Sequence, residues 1–169
     1  MAADPDPVDE LLAQWHRERP DLAEGLPAMG TIGRLGRFVA LAGRSIDDVF
    51  AAHGISTGEF DVLAALRRAG TPHVMTPTAL TRTLMLSPAG MTNRLDRLEA
   101  AGHIERRADP DDRRSLLVVL TEQGRRVVDA AVTDHVANEA RLLAPLTPRQ
   151  RATLDGLLRA LLEPLTEPS

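Results

Sequence analysis

The sequence of 169 residues predicts a mainly α (α+β) fold, in which a winged helix-turn-helix is held in a helical dimerisation frame. Three observations predict this layout. Ser or Thr followed by Pro, a preferred pair at a helix start, recurs at 76–77, 87–88 and 147–148. Between residues 103 and 120 the periodicity changes to two short β-type runs. Helical apolar spacing resumes after Thr121, so three short helices and a hairpin lie between longer helices.

The helices before the hairpin are delimited by their boundary residues. Apolar periodicity predicts them near 7–18, 29–53, 57–69, 76–84 and 87–101. Pro20 ends the first of these helices and Gly54 ends the second. Ser56 and Glu59 have the spacing of a capping box, which predicts the start of the third helix.

The hairpin is predicted from two runs, 103–107 and 115–120, which are joined by the turn-rich segment 108–112. After it, Val, Leu and Ala recur at helical spacing over 127–143 and 154–162. A Pro-bounded break separates these two helical segments. We therefore expect two long helices after the hairpin.

The second half of the frame carries a wide apolar stripe over residues 127–162. This stripe is buried most simply, together with residues 29–50, against a second copy of the chain, so we expect a two-fold homodimer. The predicted organisation has three parts. They are an added N-terminal helix (1–24), a winged helix-turn-helix (57–120) and a helical dimerisation region (25–56 and 121–169).

Composition excludes several classes of protein. The chain has no Cys, and no two of its five His stand at the spacing of a helical metal pair. We therefore predict no metal site, no cofactor and no catalytic residue. The segment 54–58 has the G-x-S-x-G form of a nucleophile elbow, but Ser56 follows a helix instead of a strand and caps the next one, so an enzyme is not predicted.

Membrane association is also not predicted. The apolar runs fall far short of the roughly 20 residues that a membrane span needs. The N-terminal segment 1–10 carries acids where a secretory signal would carry Lys or Arg. We expect a cytoplasmic protein.

The basic residues are unevenly distributed. The formal net charge is −4, yet residues 76–126 sum to +2 and contain nine of the twenty Arg. Binding to nucleic acid depends on where the cations lie, so the acidic total does not exclude it. Only 2% of residues are aromatic, too few to stack a series of single-stranded bases. Double-stranded DNA is therefore the predicted partner.

The segment 87–101 is the candidate DNA-reading helix. Met91, Leu95 and Leu98 form one buried stripe, and small or polar residues point away from it. Asn93 offers paired hydrogen bonds to adenine, and Arg97 reaches phosphate or guanine. The predicted DNA contacts are Ser87, Ala89, Gly90, Asn93 and Arg97 on this helix, with Arg113 and Arg114 on the hairpin tip. A solvated amphipathic helix would show the same pattern, and a plain surface hairpin could carry the same two Arg.

The segment from Arg94 to Gly102, followed by Asp112-x-Arg114-Ser115-x-x-Val118-x-Leu120-Thr121-x-x-Gly124, resembles the wing signature of MarR transcriptional regulators. The resemblance covers about residues 30–165. It implies a dimeric winged-helix regulator that binds a palindromic operator.

The extension 9–15, Asp-Glu-Leu-Leu-Ala-Gln-Trp, resembles the urate-responsive and PecS-like branch of that family. The resemblance implies a ligand pocket formed by Trp15, Asp61, Arg94 and Arg106 and linked to the DNA-reading helix. It further implies that a small anion such as urate binds between Trp15 and Arg106, disturbs an Asp61–Arg94 ion pair and releases DNA, as in a repressor.

Plainer interpretations of these residues stay open. Trp15 also fits a hydrophobic anchor for the first helix, and Asp61 lies off the buried face of its helix, where an exposed residue needs no function. A winged-helix fold also serves protein interaction without specific DNA binding, and the acidic isoelectric point of about 5.7 keeps that alternative open.

Overall fold

The computed structural model describes residues 4–110 and 115–166. Within these ranges the helices are α1 (Pro7–Glu18), α2 (Leu26–Ala52), α3 (Thr57–Arg68), α4 (Pro77–Thr83), α5 (Pro88–Ala100), α6 (Glu122–Leu142) and α7 (Pro148–Thr166). The strands are β1 (Val74–Met75), β2 (Ile104–Ala108) and β3 (Leu116–Leu120). A short 3-10 turn at Pro20–Leu22 follows α1. The mainly helical winged-helix fold predicted from the sequence is confirmed.

Side-chain caps set the helix starts. Thr76 and Ser87 accept hydrogen bonds from the third backbone N–H of α4 and α5, each with Pro at the first helical position. Ser56 and Glu59 form the predicted capping box of α3. Helix α2 begins at Leu26, earlier than the predicted start near 29.

The β-sheet has three strands in the order β1-β3-β2, all antiparallel. Strands β2 and β3 are the predicted hairpin, with Arg106 opposite Val118. We refer to β2, β3 and the residues between them as the wing. Strand β1 adds Val74 opposite Val119 and was not predicted, because two residues are too short to show alternation.

The chain divides into two compact units, 1–45 and 46–169. In the first unit, α1 packs closely on α2 because α2 carries glycine at the contact: a Cβ at Gly30 would lie 2.8 Å from Leu12. Arg34 on α2 donates to the N-cap Asp6 at 2.7 Å and forms an ion pair with Asp9. Glycine and charge together fix α1 on this part of α2.

The second unit contains the main hydrophobic core. Its largest fully buried side chains are Phe50, Val62, Leu63, Leu66, Leu80, Met91, Leu98, Ile104, Val118 and Val128. The predicted stripe of Met91, Leu95 and Leu98 is buried, so the opposite face of α5 is directed to solvent. The orientation of α5 therefore follows from its core contacts.

Apolar side chains remain exposed on both units. In the first they lie on α2 and include Ile32, Phe38, Val39 and Leu41. In the second they lie on α6 and α7 and include Val132, Val136, Leu157, Leu161, Leu162 and Leu165. No helix of the described residues is both long enough and apolar enough to cross a bilayer.

Candidate nucleic-acid interface and ligand site

The N-terminal half of α5 presents a small, uncharged surface. Ser87 caps the helix by accepting from the Gly90 backbone N–H at 3.2 Å, and Ala89 and Asn93 are exposed. The Asn93 amide makes no hydrogen bond to any described residue, so both its donor and its acceptor are available. Small residues permit close approach to base edges, and a free carboxamide can bond adenine twice.

Arg97, the charged residue predicted to contact DNA, is bonded within the protein. Its Nε lies 2.9 Å from Oε1 of Glu59, and its Nη2 lies 3.1 Å from Oγ of Ser56. Burial alone would raise the pKa of Glu59, but hydrogen bonds from Arg97 and Ser56 outweigh burial and hold that pKa below its ordinary value. The Arg97 side chain is nevertheless 58% exposed, so its guanidinium can exchange Glu59 for a phosphate.

The other two predicted cations, Arg113 and Arg114, lie outside the described residues. The strands that lead to them are described on both sides, and the Asp109 backbone N–H donates to the Ser115 carbonyl at 3.1 Å. The hairpin is therefore closed up to residues 109 and 115.

Asp61 and Arg94, two of the four predicted ligand residues, lie together. Nη1 of Arg94 is 3.9 Å from Oδ2 of Asp61 and 3.2 Å from the carbonyl oxygen of Gly58. The Arg94 side chain is 29% exposed, and the Asp61 side chain is 47% exposed. This is a long, loosely held ion pair between α3 and α5, which an incoming anion can displace at little cost.

Arg106 is held by two carboxylates of α5. Its Nη2 and Nε lie 2.5 and 2.8 Å from Oε2 of Glu99, and its Nη1 lies 2.8 Å from Oδ1 of Asp96. These hydrogen bonds lower the pKa of Glu99. The neighbouring Arg107 points to the other side of the strand and pairs with Glu105. Arg106 thus connects β2 to α5, and an anion that binds it competes with Asp96 and Glu99.

Trp15 belongs to the first unit, where its side chain is 41% exposed on α1. The structure thus groups Asp61 with Arg94, ties Arg106 to α5, and places Trp15 on the N-terminal unit. Within residues 4–110 and 115–166, no group of three or more His, Asp and Glu is arranged to hold a metal ion.

Sequence reasoning missed several residues of this site. Glu59 and Glu99 are the main partners of Arg97 and Arg106, but only the packed structure shows it. Arg82 is exposed on α4, which packs on α5, and has no ion-pair partner in the part of the chain that the structure describes. The sequence offered one sign of this role. Arg82 is a lone basic residue on the helix before the candidate DNA-reading helix, where its side chain could contact a DNA phosphate.

Comparison with known proteins gives consistent results. A family model described as "MarR family" matches residues 53–115. The HTH-type transcriptional regulator PecS of Dickeya dadantii is 39% identical over 151 residues, covering 89% of this chain and 90% of that protein. The multiple antibiotic resistance protein MarR of Salmonella typhimurium is 31% identical over 133 residues, covering 76% of this chain and 90% of its own length. A crystal structure of a mutant MarR from E. coli, complexed with operator DNA, superposes with a TM-score of 0.67 at 26% identity, covering 88% of this chain and 97% of that one.

Proposed function

Because the chain belongs to the MarR family, whose members are non-enzymatic transcriptional regulators that bind DNA, we propose that it is a ligand-responsive repressor acting as a homodimer. In this proposal it binds a palindromic operator and is released by a small anion such as urate. Since its partner would be DNA, we place it in the cytoplasm.

The main support for the DNA-binding proposal is the Asn93 carboxamide, which makes no hydrogen bond to any described residue. It stands on the solvent face of α5, among small side chains, in a chain similar to a protein solved with operator DNA. The N-terminal end of a recognition helix is the part that contacts base edges in the major groove. Ser87, Ala89, Gly90 and Asn93 form that end here. Arg82, Arg97, Arg113 and Arg114 would bind the flanking phosphates and the minor groove.

The homodimer is supported by the leucine residues left exposed on α7, including Leu157, Leu161 and Leu162. An apolar face of this kind is stabilised by association with another chain. A two-fold dimer would present two copies of α5 to successive major grooves, about one turn of DNA apart.

The ligand response is proposed to act through the ion pairs of α5. An anion at Arg94 and Arg106 would compete with Asp61 and Glu99, and both arginines connect α5 to its neighbours. Ligand changes DNA affinity only through its different affinities for the free and the DNA-bound arrangement, and a coupling of about 1–3 kcal/mol is typical of allosteric proteins. Trp15 stays a predicted ligand residue. It is the only Trp, so quenching of its fluorescence by urate tests that prediction directly.

A gel-shift titration on the DNA upstream of the protein's own gene tests the proposal, with and without urate at fixed salt. We expect specific binding that urate weakens roughly 5- to 150-fold. Hypoxanthine, a neutral purine, is the matched control and should have no effect. Equal affinity for a random duplex would contradict specific DNA reading and favour the protein-interaction alternative.

Neutralising Arg97, Arg113 and Arg114 distinguishes the two functions, because it should abolish duplex binding and leave binding to a protein partner largely intact.

A further inference from the structure

We propose that Gly58 is a positioning residue for Arg94, and that the absence of a side chain at this position allows the reading helix to respond to ligand. The face of α3 at Gly58, with its carbonyl oxygen, forms what we call the Arg94 seat. The regulatory part of this inference rests on the proposed function, whereas the seat itself rests on geometry alone.

The geometry of the seat leaves no room for a side chain. A Cβ at residue 58 would lie 2.6 Å from Cζ, 2.8 Å from Nε and 2.9 Å from Nη2 of Arg94. All three distances are well inside van der Waals contact, so the guanidinium occupies the space that any other residue type would fill. From this position Nη1 reaches the Gly58 carbonyl oxygen at 3.2 Å and approaches Asp61 to 3.9 Å.

The guanidinium, and not the helix, would yield to a methyl group at position 58. The atoms that the methyl group would meet are the far end of a flexible side chain that is partly exposed to solvent. Gly58 is the second residue of α3 and its φ is not positive, so alanine can adopt the same backbone conformation without strain. Alanine would therefore leave α3 intact, displace Arg94 and separate it from Asp61.

The effect of Gly58→Ala should be confined to the Arg94 seat, because a second arginine also joins α5 to α3. Arg97, one helical turn further along α5, bonds Glu59 and Ser56 at the start of α3, whereas the three atoms nearest to a Cβ at position 58 all belong to Arg94. Without the seat, α5 would still be held to α3 through Arg97 and the core stripe. We therefore expect Gly58→Ala to affect the ligand response and to leave the fold in place.

The seat is tested by thermal unfolding of the full-length protein at one fixed protein concentration. The variants are Gly58→Ala, Arg94→Ala and the double variant. In the Arg94→Ala background, alanine at position 58 should raise Tm by about 1–4 °C, as glycine replacement in a helix does. In the parent background the same substitution should raise Tm less or lower it, because the new methyl group has to displace the Arg94 side chain. An equal shift in both backgrounds would overturn the seat.

The regulatory role is tested by the ratio of operator Kd with urate to Kd without urate. We expect this ratio to fall from roughly 5–150 in the parent to about 1 in Gly58→Ala, and the double variant to match Arg94→Ala. Gly156→Ala is the matched control. Gly156 is also helical, lies on the side of α7 away from the leucines and has no neighbour within 4 Å of an added Cβ. Its ratio should equal that of the parent.

The outcomes separate this inference from the proposed function. If urate releases the parent and Gly58→Ala equally, the inference is overturned and the proposed function stands. If the parent binds its operator and urate has no effect, the proposed ligand is wrong and the regulatory part of the inference falls with it. The Tm comparison then still decides whether Gly58 seats Arg94.

Discussion

Arg106 on β2 and Glu99 on α5 are joined by three hydrogen bonds. The guanidinium Nε and Nη2 lie 2.8 and 2.5 Å from Oε2 of Glu99, and the backbone N–H of Arg106 donates to Oε1 at 2.9 Å. Asp96 binds the remaining guanidinium nitrogen, Nη1, at 2.8 Å. We call this arrangement the wing clamp. It attaches the first strand of the wing to the helix that is proposed to read DNA.

The wing clamp predicts a pH dependence of stability. Hydrogen bonds from Arg106 lower the pKa of Glu99 from its ordinary value of 4.5. A carboxyl group with a lowered pKa contributes stability above its ordinary pKa and loses it as pH falls through the folded value. At pH 7 the parent should therefore be more stable than Glu99→Gln, and the difference should shrink below about pH 4.5. Thermal unfolding between pH 7 and pH 3 measures this difference.

Arg106→Ala provides the control for that prediction. In this background Glu99→Gln should have little effect on Tm at any pH, because the partner of the carboxylate is gone. A pH-dependent difference that persists without Arg106 would show that the wing clamp is not its cause.

A second titration is predicted for the first unit. Hydrogen bonds from Arg34 and from the Asp9 backbone lower the pKa of Asp6 from 3.8 to about 2. The contribution of Asp6 to the docking of α1 is thus complete above pH 3.8 and is lost as pH falls towards 2. An NMR titration of the Asp6 carboxyl measures the pKa. Arg34→Ala should move the pKa back towards its ordinary value, and an unchanged pKa would exclude Arg34 as its main cause.

Asn93→Ala is predicted to weaken operator binding selectively. Loss of a bidentate contact to adenine costs about 1–3 kcal/mol, or roughly 5- to 150-fold in Kd. Binding to a random duplex should be unchanged. Thr92→Ala is the control, because the Thr92 hydroxyl already donates within α5, to the Pro88 carbonyl at 3.1 Å.

Arg82→Ala should instead weaken binding to the operator and to the random duplex alike. It should also reduce the slope of log affinity against log salt by about one phosphate contact.

Asp61→Asn is predicted to reduce the response to urate. The substitution removes the charge that attracts Arg94 across 3.9 Å, so an anion at Arg94 no longer displaces an ion pair. Gel shifts should show a urate effect that is several-fold smaller than in the parent. Asp155→Asn, on α7 beside Arg159, is the control and should respond as the parent does. A full response in Asp61→Asn would refute the proposed relay.

Gly124→Ala is predicted to destabilise the fold by about 1–3 kcal/mol. A Cβ at Gly124 would collide with the backbone carbonyl of His103. That carbonyl is fixed, because it accepts the Thr121 backbone N–H at 3.1 Å and the Thr121 hydroxyl at 3.0 Å. Urea denaturation measures the loss, and Gly156→Ala should show none. Equal stability of the two variants would contradict the close approach.

The helix starts could be predicted from the sequence because they depend on local chemistry. Thr76 and Ser87 cap α4 and α5 where the Ser/Thr-Pro pairs place them. The buried stripe of α5 likewise follows from spacing alone. Strand β1 could not be predicted, since its two residues pair with a strand more than 40 positions away.

The charge pairs of the site were much less predictable. Arg97 and Glu59 are 38 positions apart and meet only because α3 packs on α5. The Asp61–Arg94 pair came from the family resemblance and not from any local pattern. The need for glycine at position 58 depends on the path of one side chain, which a helical wheel does not contain.

The wing clamp also affects how contacts add up in the proposed DNA complex. Because Asp96 and Glu99 hold β2 on α5, this strand of the wing and α5 form one preorganised body. Once α5 enters the major groove, the wing meets the adjacent backbone at a high effective concentration and loses little further rotational freedom. Each wing contact can then be weak by itself and still raise the affinity of the whole. Loosening the wing clamp would lower this effective concentration and reduce what the wing adds to the affinity of α5.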